Sequence, residues 1–314
     1  MAKRTDNVEK TPEQLTQERL RKENEYIIKN KRVRRQTRRR TAIIILLLFL
    51  LIVGLLGGVT YAIMQFVDES QFRVSVSHSG TAWLSLSKDY EFTNPTSVMD
   101  VSAPQNMDEC TLCNYLDGKL IEINNTDGAY KGSGSKDYYI ATTFYLKNSG
   151  KDDVYYKEII TLERKYKGME KAIRVMVIKD IEPPSDESRG VITVYAAPKS
   201  DAEGNTLYDE ENNPLLEEVV PPGSINLEYK PIGLPTYEGF EFNPEDIRED
   251  GVWMTKPFYS DNYVTNSEFY PLRQGEIIKY SIVIWLEGQD DQCVDDILGG
   301  QVKMEVEFSA SSRK

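Results

Sequence analysis

Few residues of this chain have the chemistry of a catalytic or metal-binding site. One histidine, His78, occurs in 314 residues, which excludes an H-E-x-x-H motif and any zinc site with two histidines. A Ser/His/Asp triad would have to use His78, and the sequence contains no G-x-S-x-G elbow. His78 sits in the turn-like text SHSG, which is typical of an exposed histidine. We therefore predict no catalytic residue and a protein that is not an enzyme.

The three cysteines, Cys110, Cys113 and Cys293, leave their pairing open. A Cys110–Cys113 disulfide would close a small local ring, whereas either cysteine with Cys293 would tie a loop to the last hairpin. Together with His78 the cysteines form a Cys3His set, and CTLC has the spacing of a zinc knuckle. Thiols in an oxidising compartment tend to oxidise, so we expect a disulfide or free thiols instead.

Carboxylates give the better cation hypothesis. Oxygen-rich, flexible loops are what Ca²⁺ uses, so calcium is the cofactor that the sequence favours. A second group of oxygen ligands, Asp201, Glu203 and Asn205, surrounds Gly204. Neither this group nor the loop between the last two predicted strands has the ligand spacing of an EF-hand, so the alternative is a solvated acidic loop. The candidate ligands crowd the loop between the last two predicted strands: Glu287, Asp290, Asp291, Asp295 and Asp296.

Charge divides the chain into two parts. Residues 1–40 carry fourteen Lys and Arg against six Asp and Glu, a net charge of +8, so the remainder carries −12 − 8 = −20. The negative net charge of residues 41–314 argues against nucleic acid as their partner, because a surface that binds phosphate must be positively charged. The basic arm, residues 1–40, suits anionic lipid headgroups, and we predict that it is partly helical or disordered.

A charge-free apolar run covers residues 41–67. Its length exceeds the roughly 20 helical residues that a bilayer core requires, so the sequence predicts one transmembrane helix or an uncleaved signal anchor. The basic arm on one side places the N-terminus in the cytoplasm and residues 68–314 outside the cell. This makes a single-pass protein of the cell membrane. Thr60 and Ala62 are small enough for a signal-peptidase site, and cleavage after Ala62 would release the domain.

Beyond the apolar run, the pattern is that of strands. In QVKMEVEF the residues Val302, Met304, Val306 and Phe308 alternate with polar ones, and EIIKYSIVIWLE is apolar on both faces. Other candidate strands are QFRVSVS, TAWLSLS, KLIEI, DYYIATTFYLK, DVYYKEIITLERKY, KAIRVMVI and GVITVYAA. We predict an all-β, Ig-like antiparallel sandwich with Trp285 as a core anchor. Pro-rich, acidic text from about 199 to 270 is predicted to be an insertion.

Three local texts carry a family resemblance: LLGGVTYA at Leu55–Ala62, FYLKNSGKDDVYYKEI, and LRQGEIIKYSIVIWLEGQDDQCVDDILGG. Taken together they resemble the secreted β-sandwich proteins of Gram-positive bacteria related to TasA and camelysin. The resemblance implies a sandwich handled by a dedicated signal peptidase. Camelysin-like proteins have been grouped with metallopeptidases, but the single histidine of this chain does not supply their chemistry.

These observations predict a non-catalytic structural or adhesion protein that displays a β-sandwich at the surface of a Gram-positive-type cell. Self-association would proceed through exposed sheet edges that accept a strand from a neighbour. Two alternatives are a non-catalytic subunit of a membrane or cell-envelope complex, and a secreted matrix subunit after cleavage near Ala62. The expected partners are membrane lipid, other copies of the chain or envelope proteins.

Overall fold

Two compact units divide the chain, Met1–Glu69 and Ser70–Lys314. The second unit carries every strand given below, so its fold is the one described. Besides isolated helical positions before residue 50, the computed structural model describes residues 72–77, 83–101, 107–110, 119–131, 138–182, 190–201, 203–219 and 240–312.

The described part of the second unit is built mainly from strands. One short α-helix, Leu120–Asn124, and the 3₁₀ turns Met169–Lys171, Pro244–Asp246 and Asp295–Ile297 interrupt them. The strands in chain order are β1 Phe72–Ser77, β2 Leu84–Ser87, β3 Val98–Val101, β4 Gly128–Tyr130, β5 Tyr139–Asn148, β6 Val154–Tyr166, β7 Ile173–Glu182, β8 Gly190–Ala196, β9 Phe240–Phe242, β10 Lys256–Pro257, β11 Tyr263–Asn266, β12 Tyr270–Leu272, β13 Ile277–Leu286 and β14 Gln301–Ser311.

These strands form two sheets. The first has the order β11-β6-β14-β1-β3, with β12 also paired to β6. The second has the order β10-β8-β7-β13-β5-β2, with β4 also on β5 and β9 also on β8. The long strands pair antiparallel: β6 with β14 in the first sheet, and β13 with both β5 and β7 in the second. The all-β, two-sheet part of the predicted fold class therefore fits.

The predicted strand periodicities are confirmed in the last two strands. Met304, Val306, Phe308 and Ala310 of β14 are buried, and the residues between them are only partly buried. In β13 almost every residue is buried, on both faces. A strand that is apolar on both sides must lie in the middle of a covered sheet, and β13 does lie between β7 and β5.

The main core lies between the two sheets, and aromatic rings occupy its centre. Phe308 of β14 lies 4.8 Å from Tyr280, 5.9 Å from Phe144 and 6.4 Å from Tyr156, measured between ring centroids. Phe144 and Tyr280 stack with 11° between their planes. Rings at these offsets bury large apolar areas and add a favourable electrostatic term.

A second apolar layer covers the outer face of the second sheet. Trp285 is fully buried there, in one apolar cluster with Cys110 and with Leu120 and Ile123 of the short helix. The predicted core anchor therefore packs outside the sandwich rather than between its sheets. The text KLIEI, predicted as a strand, forms the helix Leu120–Asn124 instead. Leu120 and Ile123, at i and i+3, lie on one side of the helix and both face this layer, which explains the helix.

The sandwich departs from the predicted antiparallel arrangement in three pairs. β1 pairs with β14 in parallel, and both β9 and β10 pair with β8 in parallel. β11 and β12, which lie in or at the edge of the predicted insertion of 199–270, both pair with β6. The described short strands in and beside this text therefore belong to the two sheets, at their edges.

The described residues between 199 and 215 form two turns of one design, eight residues apart. In each turn an aspartate, Asp201 or Asp209, accepts hydrogen bonds from the backbone and the side chain of the asparagine four residues later. The residue before that asparagine, Gly204 or Asn212, has a positive φ. Glycine and asparagine are the residues that tolerate this conformation, which explains their position in the repeat.

The prediction of one membrane-spanning helix over residues 41–67 is contradicted. Among the described residues no helix is long and apolar enough to cross a membrane, and a crossing needs about 20 apolar helical residues. Of that range only 45–46 and 48–49 are described. The predicted signal anchor, single-pass topology and cell-membrane location are corrected with it. The rest of 41–67, including Ala62, and most of the basic arm lie outside the described residues.

Candidate functional site

The strongest concentration of buried charge surrounds Arg174. This residue lies on the outer face of β7, directly opposite Trp285 of β13, and its side chain has no exposed surface. Its Nη2 lies 2.7 Å from Asp290 Oδ2 and 3.7 Å from Glu217 Oε2. Glu287, which is fully buried nearby, completes what we call the Arg174 cluster: Arg174, Glu217, Glu287 and Asp290.

The cluster joins three separate parts of the chain. Asp290 and Glu287 come from the loop between β13 and β14, and Glu217 follows the eight-residue repeat. In addition, Gln292 Nε2 donates to the carbonyls of Ser200 and Asp201 at 3.5 and 3.4 Å. If the loop or the segment at Glu217 moved away, Arg174 would lose an acidic partner and its buried charge would be uncompensated. The cluster therefore holds both segments against β7.

Glu287 has the most strongly perturbed carboxyl of the cluster. Its Oε2 accepts a hydrogen bond from Trp285 Nε1 at 3.0 Å, and its Oε1 accepts from the backbone N–H of Gln289 at 3.2 Å. Burial outweighs these bonds and the charge of Arg174, and it raises the pKa of Glu287 from its ordinary 4.5 to about 7. Burial likewise raises the pKa of Glu217.

We expect Glu287 to make the fold less stable as pH rises from 4.5 to about 7. Through this window the folded carboxyl keeps a proton that the unfolded chain has lost. The folded state therefore binds more protons, and the free energy of unfolding falls as pH rises. One unit of pKa difference corresponds to about 1.4 kcal/mol.

Urea unfolding of the wild type and of Glu287→Gln across this pH window measures the effect. The glutamine still offers an oxygen to Trp285 but cannot ionise, so the variant should gain stability relative to the wild type as pH rises. Parallel pH profiles of the two proteins would contradict the assignment.

The five carboxylates predicted to bind calcium do not form one group in the structure. Glu287 and Asp290 are buried and belong to the Arg174 cluster, whereas Asp291, Asp295 and Asp296 are exposed. In the part of the chain that the structure describes, no three His, Cys, Asp or Glu side chains are arranged to hold a metal ion. Calcium binding stays a prediction.

Two of the three cysteines lie beside the cluster as free thiols. Cys110 is buried and its Sγ donates to the carbonyl of Tyr138 at 3.5 Å, while Cys293 Sγ lies 3.7 Å from Glu109 Oε2. Burial raises the pKa of both thiols, that of Cys293 to about 12. Such thiols stay protonated at neutral pH and are poor nucleophiles. Cys113 and His78 lie outside the described residues.

A row of buried polar side chains continues along the same face of the second sheet. Ser281 Oγ lies 2.7 Å from Thr143 Oγ1 and donates to Asn124 Oδ1 at 2.7 Å. Asn124 in turn donates to Asp180 Oδ2 at 3.0 Å, and Lys279 Nζ lies 3.3 Å from the same oxygen. These bonds fix the short helix to β5, β7 and β13, since each buried polar group would be costly to leave unpaired.

Neither Arg174 nor Glu217 stands out in the sequence as a site residue. Arg174 occupies one alternate position of the apolar strand text KAIRVMVI, which does not reveal its distant acidic partners. A signal for Glu217 does exist, because this acidic residue follows Asp209 by eight residues, the spacing that separates Asp209 from Asp201. The arrangement is chemically a set of ion pairs and hydrogen bonds that fasten segments to the sheet.

Comparison with known proteins does not assign the chain to a family. No family model, no curated protein and no solved structure matches it. The resemblance to TasA-like and camelysin-like proteins therefore stays a prediction.

Proposed function

We propose that this chain is a non-catalytic structural or adhesive protein whose sandwich withstands tension between the residues before β1 and those after β14. The observation that carries the proposal is the parallel pairing of β1 with β14, which we call the terminal pair. Six residue pairs are in register, from Phe72 with Met304 to Ser77 with Ser309.

The direction of the terminal pair determines how it responds to force. Pulling the chain before Phe72 and after Ser311 draws two parallel strands in opposite directions along their own axes. The interstrand hydrogen bonds are then loaded together, whereas strands pulled apart from one end lose their bonds one at a time. Resistance to forced unfolding is governed by the unfolding rate, which such simultaneous loading slows.

The packing around the terminal pair supports the same proposal. β14 lies between β1 and the thirteen-residue strand β6, and both its sides are therefore hydrogen-bonded. Val74, Val76, Val306 and Phe308 of the pair are in the main core. Separating the two strands would expose this apolar surface to water, which costs about 25 cal/mol per Å².

The sheet edges favour tension over strand addition as the structural mechanism. Each strand that borders a sheet among the described residues is two to four residues long, as in β3, β10 and β11. At β3, Thr96 Oγ1 donates to the carbonyl of Val98 and accepts from the N–H of Val98. Both backbone hydrogen-bonding groups of Val98 are therefore already engaged. Short and capped edges are poor templates for a neighbouring strand.

We expect Ser75→Pro to lower the force needed to unfold the sandwich through its ends. The N–H of Val76 donates to Ser97 in the neighbouring loop, so the alternate N–H of Ser75 faces β14. Proline removes that donor, worth about 1 kcal/mol, and disturbs the strand in addition.

Single-molecule pulling on the full chain, with handles before Phe72 and after Ser312, measures this effect. Ser75→Ala is the matched control, because it removes only the bond from Ser75 Oγ to Glu305 at 2.8 Å and keeps the backbone donor. Equal unfolding forces for the proline and alanine variants would reject the terminal pair as the element that resists force.

A further inference from the structure

A lysine, a carboxylate and an amide meet on the outer face of the second sheet. Lys279 of β13 and Asp180 of β7 are partners in register, and Lys279 Nζ lies 3.3 Å from Asp180 Oδ2. Asn124, the last residue of the short helix, donates from Nδ2 to the same oxygen at 3.0 Å. We call Asn124, Asp180 and Lys279 the outer triad. One carboxylate oxygen of the outer triad therefore contacts both an amine and the nitrogen of an amide.

The carbonyl of that amide also has a hydrogen-bond donor. Asn124 Oδ1 accepts from Ser281 Oγ at 2.7 Å, and Ser281 follows Lys279 by two residues on the same face of β13. A hydroxyl donor at this oxygen polarises the amide carbon and stabilises the negative charge that develops on the oxygen when a nucleophile attacks.

Burial shields the outer triad from water. Asn124, Lys279 and Ser281 are buried residues. Asp180 Oδ1 is buried too and has no hydrogen-bond partner among the described residues, and a Cβ at Gly190 would overlap this oxygen. A buried polar atom without a partner is costly in a purely structural network, and a reacting group is one of the places where it is found.

We propose that Nζ of Lys279 condenses with the side-chain amide of Asn124, which joins β13 to the short helix by an amide bond. Asp180 Oδ2 takes one proton from the ammonium group of Lys279, and the resulting amine attacks Cγ of Asn124. A C–N bond forms and the bond from Cγ to Nδ2 breaks. Nδ2 leaves as an ammonium ion, with the proton held by Oδ2 and a second proton from Nζ. No oxidant or reductant is needed.

The contacts of the outer triad are those that this step requires. Asp180 Oδ2 touches both the attacking and the leaving nitrogen, so one carboxylate can move the proton from the first to the second. The attacked carbon belongs to an uncharged amide, and the flexible stem of Lys279 carries Nζ from Oδ2 to that carbon. The fold holds amine and amide together, which replaces a bimolecular encounter by an intramolecular one.

The intact mass of the folded full-length protein tests the proposal. We expect the wild type to weigh less than its sequence by one ammonia, and tandem mass spectrometry to find the peptide of Asn124 joined to that of Lys279. A full sequence mass in the folded wild type overturns the proposal without any variant. A loss of one water with Lys279 joined to Asp180 also overturns it, because the carboxylate would then be the group attacked.

Variants show whether the lost ammonia comes from the outer triad. Lys279→Arg keeps the positive charge but removes the amine, and Asp180→Ala removes the group that moves the proton, so both should have the full mass of their sequences. Lys303→Arg is the matched control and should keep the loss, because Lys303 lies 2.9 Å from the carboxylate of Glu163 but in the first sheet. A loss of ammonia that persists in Lys279→Arg or in Asp180→Ala overturns the proposal.

The amide bond would also enclose the chain between Asn124 and Lys279 in a covalent loop. Force applied at the two ends of the sandwich cannot extend a closed loop, so Lys279→Arg should lengthen more on unfolding than the wild type. Equal lengthening of the two proteins contradicts the proposal. The mass of the protein does not depend on how the terminal pair responds to force, so the two proposals fail separately.

Discussion

Arg174→Met is expected to destabilise the sandwich by about 3–5 kcal/mol, the usual cost of leaving a buried ion pair without one partner. The methionine fills a similar volume but leaves Asp290 buried without its cation. Glu217, whose side chain is 14% exposed, keeps only Lys199, with Nζ at 4.0 Å from its Oε2. Urea unfolding at neutral pH measures the change. The loss should be partly recovered by adding Asp290→Asn, because the second substitution removes the uncompensated charge.

Arg73→Met is the matched control for this substitution. Arg73 also makes a short contact, 2.9 Å to Asp100, but its side chain is 41% exposed and that of Asp100 is 56% exposed. Ion pairs of this kind contribute about 0–1 kcal/mol. If the two arginine variants lost similar stability, the Arg174 cluster would not be what fastens the acidic loop and the repeat to β7.

Phe308→Ala is expected to cost about 3–5 kcal/mol, the range for removing a buried aromatic side chain from a packed core. Phe308 has no exposed surface and contacts rings from both sheets, so the cavity cannot close without moving β6, β13 and β14 together. Thermal or urea unfolding gives the difference in free energy.

Tyr259→Ala serves as the comparison for the aromatic deletion. Tyr259 is 64% exposed and lies outside the main core, so its truncation should stay within about 0.5 kcal/mol of the wild type. A loss for Phe308→Ala no larger than that for Tyr259→Ala would mean that the rings between the sheets do not hold them together.

The sequence predicted the strands better than their surroundings. The alternation of Val302 to Phe308 indicates a half-buried strand because side chains of a strand point alternately to two faces. The same rule shows that β13 is covered on both sides, yet it does not say what covers it. The covering layer comes from Cys110, the short helix, Val219 and Trp253, which are distant from one another in sequence.

The candidate site was predictable only in part. The acidic text after Trp285 was recognised, but its division into buried Glu287 and Asp290 and exposed Asp295 and Asp296 depends on Arg174, over a hundred residues earlier. The parallel terminal pair was missed for a similar reason. Nothing in QFRVSVS or QVKMEVEF specifies which strand lies next to it, since pairing between the first and last strands is set by the whole topology.

The direction of pulling tests the central claim most directly. Handles before Phe72 and after Ser312 load the terminal pair along the strands, whereas handles at Ser77 and Ser309, which are partners in register, separate the same strands from one end. We predict a clearly higher unfolding force in the first geometry than in the second, at equal loading rate in the same full-length chain. Equal forces in the two geometries would contradict the proposal that this sandwich withstands tension through β1 and β14.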